Sequence, residues 1–138
     1  MAKAKGVLGL IGRWRHYNNR RRYGVYINWP QNIGYGLYLP HPQGIVLNVT
    51  AKIGNNVTIH RGVNIGSEHY NAATIGNNVY IGPNVCIVEH VRIGNNVTIG
   101  AGAVVVKDVP DGAVVAGNPA RIISWKDHSD LHRNPWKW

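Results

Sequence analysis

The pentapeptide Ile-Gly-Asn-Asn-Val occurs three times in this chain, starting at Ile53, Ile75 and Ile93, and a looser copy, Ile-Gly-Tyr-Gly-Leu, starts at Ile33. Each copy leads into the same apolar step: Leu37 and Leu39, Val57 and Ile59, Val79 and Ile81, Val97 and Ile99. Apolar residues therefore come in pairs two apart, and the pairs recur every six. Ile75, Ile81, Ile87, Ile93, Ile99 and Val105 keep that period, as do Val79, Val85, Val91, Val97, Ala103, Val109 and Val115. Residues two apart share one face of a strand. Gly, Asn, Pro and Asp stand between the pairs, and they make turns and tolerate positive φ. A period of six fits no helix, whose apolar period is near 3.6 or 3.5.

A three-residue strand and a turn in every six residues bend the chain through about a third of a circle. Three units close a coil of 18 residues, the spacing between Ile75 and Ile93. Coils then stack as parallel strands about 4.8 Å apart, each covering its neighbour's backbone edge. The expected fold is all-β: a parallel β-helix of hexapeptide repeats over 25–124, preceded by a basic segment, 1–24, and followed by a Trp-rich tail, 125–138. That tail breaks the repeat and is placed to cap the last coil. The chain is 44% hydrophobic, only 15% charged and without Phe, which suits a thin interior of Ile, Val, Leu and Ala.

The repeat slips twice. Ile33 to Ile53 is 20 residues and Ile53 to Ile75 is 22. Extra residues cannot enter a stacked core, so they bulge at corners, and departures from a local rule concentrate at functional sites. The first bulge, between Leu39 and Leu47, holds His41; the second, between Ile65 and Ile75, holds His69. Histidine titrates near neutrality and is the commonest general base. The two bulges fall on different corners, about 15 Å apart, so His41 and His69 of one chain are not expected to touch. Corners of two neighbouring chains can meet. His60 and His90 read as solvent-facing corner residues. One corner continues from His41 through His60, Gly82, Gly100 and Ala101 to Ala116 and Gly117, a line that becomes small-sided after the second coil. Four coil steps span about 19 Å, the reach of a long thin ligand arm.

The formal charge is +9, no Asp or Glu precedes Glu68, and seven of the fifteen Lys and Arg residues lie in the first 22 positions. Such a segment suits an anionic membrane face or an anionic glycan. Nucleic acid is not expected, because the repeat offers no aromatic platform and no groove-reading helix. Cys86 is the sole cysteine, so no intrachain disulfide can form; lying between Val85 and Ile87, it should point outward. The apolar run from Val7 to Ile11 is too short to span a bilayer, and a cytoplasmic location is expected, with contact at the inner face of a membrane as a further possibility.

The repeat, together with Leu-Pro-His-Pro-Gln-Gly-Ile-Val-Leu-Asn (39–48), Ile-Gly-Ala-Gly-Ala-Val-Val (99–105), Lys-Asp-Val-Pro-Asp (107–111) and Ala-Gly-Asn-Pro-Ala-Arg-Ile-Ile (116–123), resembles the hexapeptide-repeat acyltransferases. Within them it resembles the serine acetyltransferases and their short relatives in surface-polysaccharide clusters. The resemblance implies a left-handed coil, against the usual right-handed crossover, and a homotrimer with sites in the clefts between chains. It also implies acetyl-CoA as donor and His41 as general base, since Pro40, His41, Gly44, Ile45 and Val46 stand at that family's Asp-His-x-x-Gly-Ile-Val motif. His69 matches a second family histidine. Acetyl-CoA would contact Gly82, Ala101, Gly102, Gly117 and Pro119, with Lys107 and Arg121 at its phosphates.

Three positions depart from the family pattern. Tyr26 stands fifteen residues before His41, where the family has the Asp that orients its base. Pro40 replaces the Asp before the base, and Glu68 replaces the Arg before the second histidine. These changes shift the expected acceptor from free serine, which remains the alternative, to a sugar hydroxyl on a polysaccharide precursor. A non-catalytic scaffold or anion-binding protein is the reading of another class. A metal site is not expected: the zinc sites of β-helical carbonic anhydrases use two His five apart, and no pair here has that spacing.

Overall fold

The computed structural model describes residues 6–28, 30–126 and 129–131. The chain winds through three parallel sheets, visiting each once per coil. The first face holds β1 (Tyr26–Ile27), β3 (Val46–Leu47), β6 (Asn64–Gly66), β9 (Cys86–Val88) and β12 (Val104–Val105). The second holds β2 (Asn32–Ile33), β4 (Lys52–Ile53), β7 (Thr74–Ile75) and β10 (Arg92–Ile93). The third holds β5 (Thr58–Ile59), β8 (Tyr80–Ile81), β11 (Thr98–Ile99), β13 (Val114–Ala116) and β14 (Arg121–Ser124). Most strands have two residues instead of the expected three, because turn residues occupy the rest of each hexapeptide.

The register follows the repeat. Ile33 pairs with Ile53, Ile53 with Ile75, and Ile75 with Ile93, so both slips are absorbed at corners and the core stays aligned. Ile45, Leu47, Ile59, Ile65, Ile81, Ile87 and Ile99 are buried, as are Val57, Val79 and Val97. Truncating one such Ile to Ala costs about 2–5 kcal/mol. Close stacking also fixes glycine at the corners. A Cβ on Gly76 would lie 2.7 Å from the Gly94 carbonyl oxygen, and one on Gly82 would lie 2.8 Å from the Ala101 nitrogen.

At the corner between the second and third faces, asparagines form a column. Asn55 Oδ1 accepts from the Tyr35 N–H, and the Asn77, Asn95 and Asp111 Oδ1 atoms accept in turn from the Asn55, Asn77 and Asn95 N–H groups, at 2.8–2.9 Å. Beside it Asn56, Asn78 and Asn96 adopt positive φ, the left-handed turn conformation that Asn tolerates. The repeated Asn-Asn thus has two tasks: one residue bonds the coil below, the other makes the turn.

Three features depart from the sequence expectation. The last coil is two residues short: Val109 bridges Ile93, and Val115 pairs with Ile99, both 16 residues on. The run through Val97, Ala103 and Val109 therefore changes position after Ala103. The cap also begins earlier than residue 125, because β14 folds back antiparallel on β13 and covers the end of the third face. Of the tail, residues 127–128 and 132–138 lie outside the described residues, and a 3-10 turn occupies Ser129–Leu131. Finally, the basic segment carries a helix, α1 (Val7–Tyr23), which ends at Gly24 in the left-handed conformation. None of its residues is buried, and Leu8, Leu10 and Trp14 are exposed. Arg20 stacks over the Tyr26 ring at 5.1 Å, tying the end of α1 to the first coil. Among the described residues no helix is long and apolar enough to cross a membrane.

Candidate active site

His41 sits in the bulge between the third and first faces, exposed to solvent. Tyr38, two residues before Pro40, bridges Thr58, so Pro40 is strictly level with His60, and His41 reaches over the corner instead of standing in the column. Its ring centroid is 6.5 Å from that of His60, which is in turn 5.1 Å from the Tyr80 ring. His60, expected from its spacing to be a solvent-facing corner residue, is half-buried beside His41. Burial first, and the neighbouring His41 second, hold the His60 imidazole below its ordinary pKa. The signal available in the sequence was the coil register, which puts residue 60 directly over the His41 corner.

His69 lies on the loop between β6 and β7, at the corner between the first and second faces, and its side chain is 83% exposed. The loop is knotted by hydrogen bonds. Ser67 Oγ accepts from the His69 and Asn71 N–H groups at 3.2 and 3.3 Å and donates to Glu89 Oε2 at 2.9 Å. Glu89 Oε1 accepts from the Glu68 N–H at 3.3 Å, and Glu89 Oε2 lies 3.3 Å from His69 Nδ1. The Ser67 hydroxyl first, then the Glu68 N–H, hold the Glu89 carboxyl below its ordinary value. His41 and His69 thus occupy different corners of one chain.

The line of small residues continues along the His41 corner. Gly82 is buried, and the space a side chain would need is filled by the backbone of the next coil, so its smallness serves stacking. Ala101, Gly102, Gly117 and Pro119 are exposed along the same edge. Gly102 has φ 69° with open space around it, so its backbone conformation is what requires glycine. Arg121 begins β14 and its guanidinium donates to the Ala120 carbonyl at 2.9 Å. Lys107 is exposed but follows β12, at the corner that carries His69, one face away from Arg121. Cys86 is half-buried in β9, outside the apolar core. Among the described residues no three His, Cys, Asp or Glu side chains gather as a metal site.

Residues 72–107 match the bacterial transferase hexapeptide family (six repeats). The chain is 43% identical over 114 residues to serine acetyltransferase 1 of Arabidopsis thaliana, covering 80% of this chain and 36% of that protein. Among solved structures, the serine acetyltransferase of Neisseria gonorrhoeae in complex with serine superposes with a TM-score of 0.74 at 38% identity, covering 85% of this chain and 51% of that one. The Brucella abortus serine acetyltransferase in complex with coenzyme A gives 0.76 at 32% identity, covering 83% and 48%. This chain belongs to the hexapeptide-repeat family.

The hexapeptide-repeat chain is a homologue of serine acetyltransferases over its β-helix, and its coil takes the left hand of that family. It spans between about a third and a half of the length of these relatives. The three positions where its sequence departs from the family motif are spread over the first face and the two corners that flank it. Tyr26 lies under Arg20 on the first face, Pro40 is half-buried beside His41, and Glu68 is exposed on the His69 loop.

Proposed function

We propose that this chain is an acetyl-CoA-dependent O-acetyltransferase with His41 as its general base. The observation that carries the reading is likeness to two relatives, one solved with serine, an acceptor, and one with coenzyme A, the donor after its acetyl group has left, over more than four fifths of this chain. His41 takes the proton of the acceptor hydroxyl as its oxygen attacks the thioester carbonyl carbon. A backbone N–H supports the oxyanion of the tetrahedral intermediate. Collapse breaks the carbon–sulfur bond, and the leaving thiolate receives the proton from the His41 imidazolium. The donor's arm lies along Ala101, Gly102, Gly117 and Pro119, with Lys107 and Arg121 toward its phosphates.

The site is assembled between chains of a trimer. His69 and Lys107 share one corner, whereas His41, Ala101 and Gly117 share another, so a cleft joining unlike corners of two chains brings both sets to one substrate. The first face, which lies between these corners, supports this arrangement, because Tyr26, Val46, Val88 and Val106 leave apolar surface exposed along it.

For the acceptor, the names of the relatives favour a serine hydroxyl over the sugar hydroxyl that the sequence pointed to. The sugar reading keeps one specific support: Pro40 and Glu68 stand where the family carries Asp and Arg, charges suited to a free amino acid. Thiol release from acetyl-CoA, measured with serine and with a panel of sugars and nucleotide sugars, decides between them. Transfer to one acceptor, lost by about 10²–10⁴-fold in His41→Ala, is expected for a general base. Binding of coenzyme A without transfer to any acceptor, or undiminished transfer by His41→Ala, would overturn the assignment.

A further inference from the structure

We propose that Glu89 is the positioning carboxylate of this site, holding His69 with its Nδ1 proton toward the carboxylate and its Nε2 lone pair free to meet substrate. The inference rests on the acetyl-transfer reading for its role, but on geometry for its substance. Glu89 comes from the coil above the His69 loop, at the end of β9, and its N–H donates to the Gly66 carbonyl at 2.9 Å, which fixes its height over the loop. From there its carboxylate reaches His69 Nδ1 at 3.3 Å. An ionised carboxylate only accepts hydrogen bonds, so the imidazole nitrogen facing it must carry the proton. In the neutral ring the other nitrogen, Nε2, is then the base.

Two further observations separate Glu89 from an ordinary corner residue. Its φ is 58°, and among the described residues the other non-glycine positions with positive φ are four asparagines and Tyr70. Glutamate has no special tolerance for that conformation, which non-glycine residues seldom adopt. Asn or Gly would relieve the backbone, and each would remove the carboxylate from His69. Moreover, the position from which the family's Asp orients the first histidine is here Tyr26, on the first face under Arg20. Among the described residues, His69–Glu89 is the pair in which a histidine meets a carboxylate. In this chain the imidazole–carboxylate partnership has moved from the first histidine to the second.

Glu89 also anchors the loop through Ser67, so the test must separate anchoring from tautomer control. Long-range proton–nitrogen spectra of full-length protein with labelled histidine, recorded at about pH 8 where imidazoles are neutral, report the tautomer directly. The wild type and Ser67→Ala are expected to show His69 protonated at Nδ1. Glu89→Ala should move the proton to Nε2, and Glu89→Gln, which keeps an acceptor oxygen within reach, should retain the Nδ1–H form. In turnover, Glu89→Ala should lower kcat on the order of tenfold with KM little changed, the signature of a lost transition-state contribution. An unchanged tautomer in Glu89→Ala, or an equal shift in Ser67→Ala, would overturn the proposal. If the tautomer responds as expected while the wild type transfers acetyl to no acceptor, the positioning role stands and the acetyl-transfer reading fails.

Discussion

Small side chains along one corner need not share one cause, and substitutions separate packing from the proposed donor contact. Gly82 is small because the next coil's backbone occupies the space above it, with the Ala101 nitrogen 2.8 Å from where a Cβ would be. Gly82→Val should therefore cost about 1–3 kcal/mol, read as a lowered unfolding temperature. Ala101 is exposed. Ala101→Trp should leave the unfolding temperature within a few degrees of wild type and abolish coenzyme A binding by calorimetry; unchanged affinity would remove the donor from this edge. The line of small residues was legible in the sequence, but the division between packing and binding was not, because it depends on which atoms the next coil brings overhead. His60 shows the same limit. Its place on the His41 corner followed from the coil register, yet its half-burial depends on how the His41 and Tyr80 rings pack around it.

Strands and turns were legible wherever the repeat is strict, and the exceptions have physical reasons. In the last coil, Val105, Val109 and Val115 satisfy either of two frames, since valine suits both inward positions of the hexapeptide. The true frame is set by polar contacts: the Arg92 N–H donates to Asp108 Oδ1 at 2.7 Å and the Asn95 N–H to Asp111 Oδ1 at 2.9 Å. Helix α1 was missed because it begins at Gly6 without a side-chain cap and buries none of its residues, so it carries neither the start signal nor the stripe by which helices are recognised. The asparagine column makes a prediction about acid. Hydrogen bonds from Asn95 hold the Asp111 carboxyl below its ordinary value, about 3.9 in an unfolded chain. A depressed carboxyl stabilises the fold above its unfolded pKa, and that contribution disappears as pH falls through the folded pKa. Unfolding temperature should thus fall on acidification below about pH 4, and Asp111→Asn should flatten that fall. An identical pH profile in the variant would show that the end of the column carries no such linkage.

At the scale of the whole molecule, a parallel β-helix gives a physical reason for the divided site proposed above. Each coil presents corner residues outward and keeps Ile and Val inward, so one chain supplies edges and no enclosed cleft between His41 and His69. The separation of the two bulges by a full face was readable from their spacing. The pairing of unlike corners across chains was inferred from it, and the apolar first face gives that pairing a surface. Co-expression of His41→Ala with His69→Ala tests the account most directly. Each variant alone should form trimers and transfer acetyl at a small fraction of the wild-type rate. Mixed trimers should recover activity, up to roughly a quarter of the sites at equal expression, because a chain with intact His41 can then face a neighbour with intact His69. Mixed trimers as inactive as their parents, beside an active wild type, would contradict a site shared between chains.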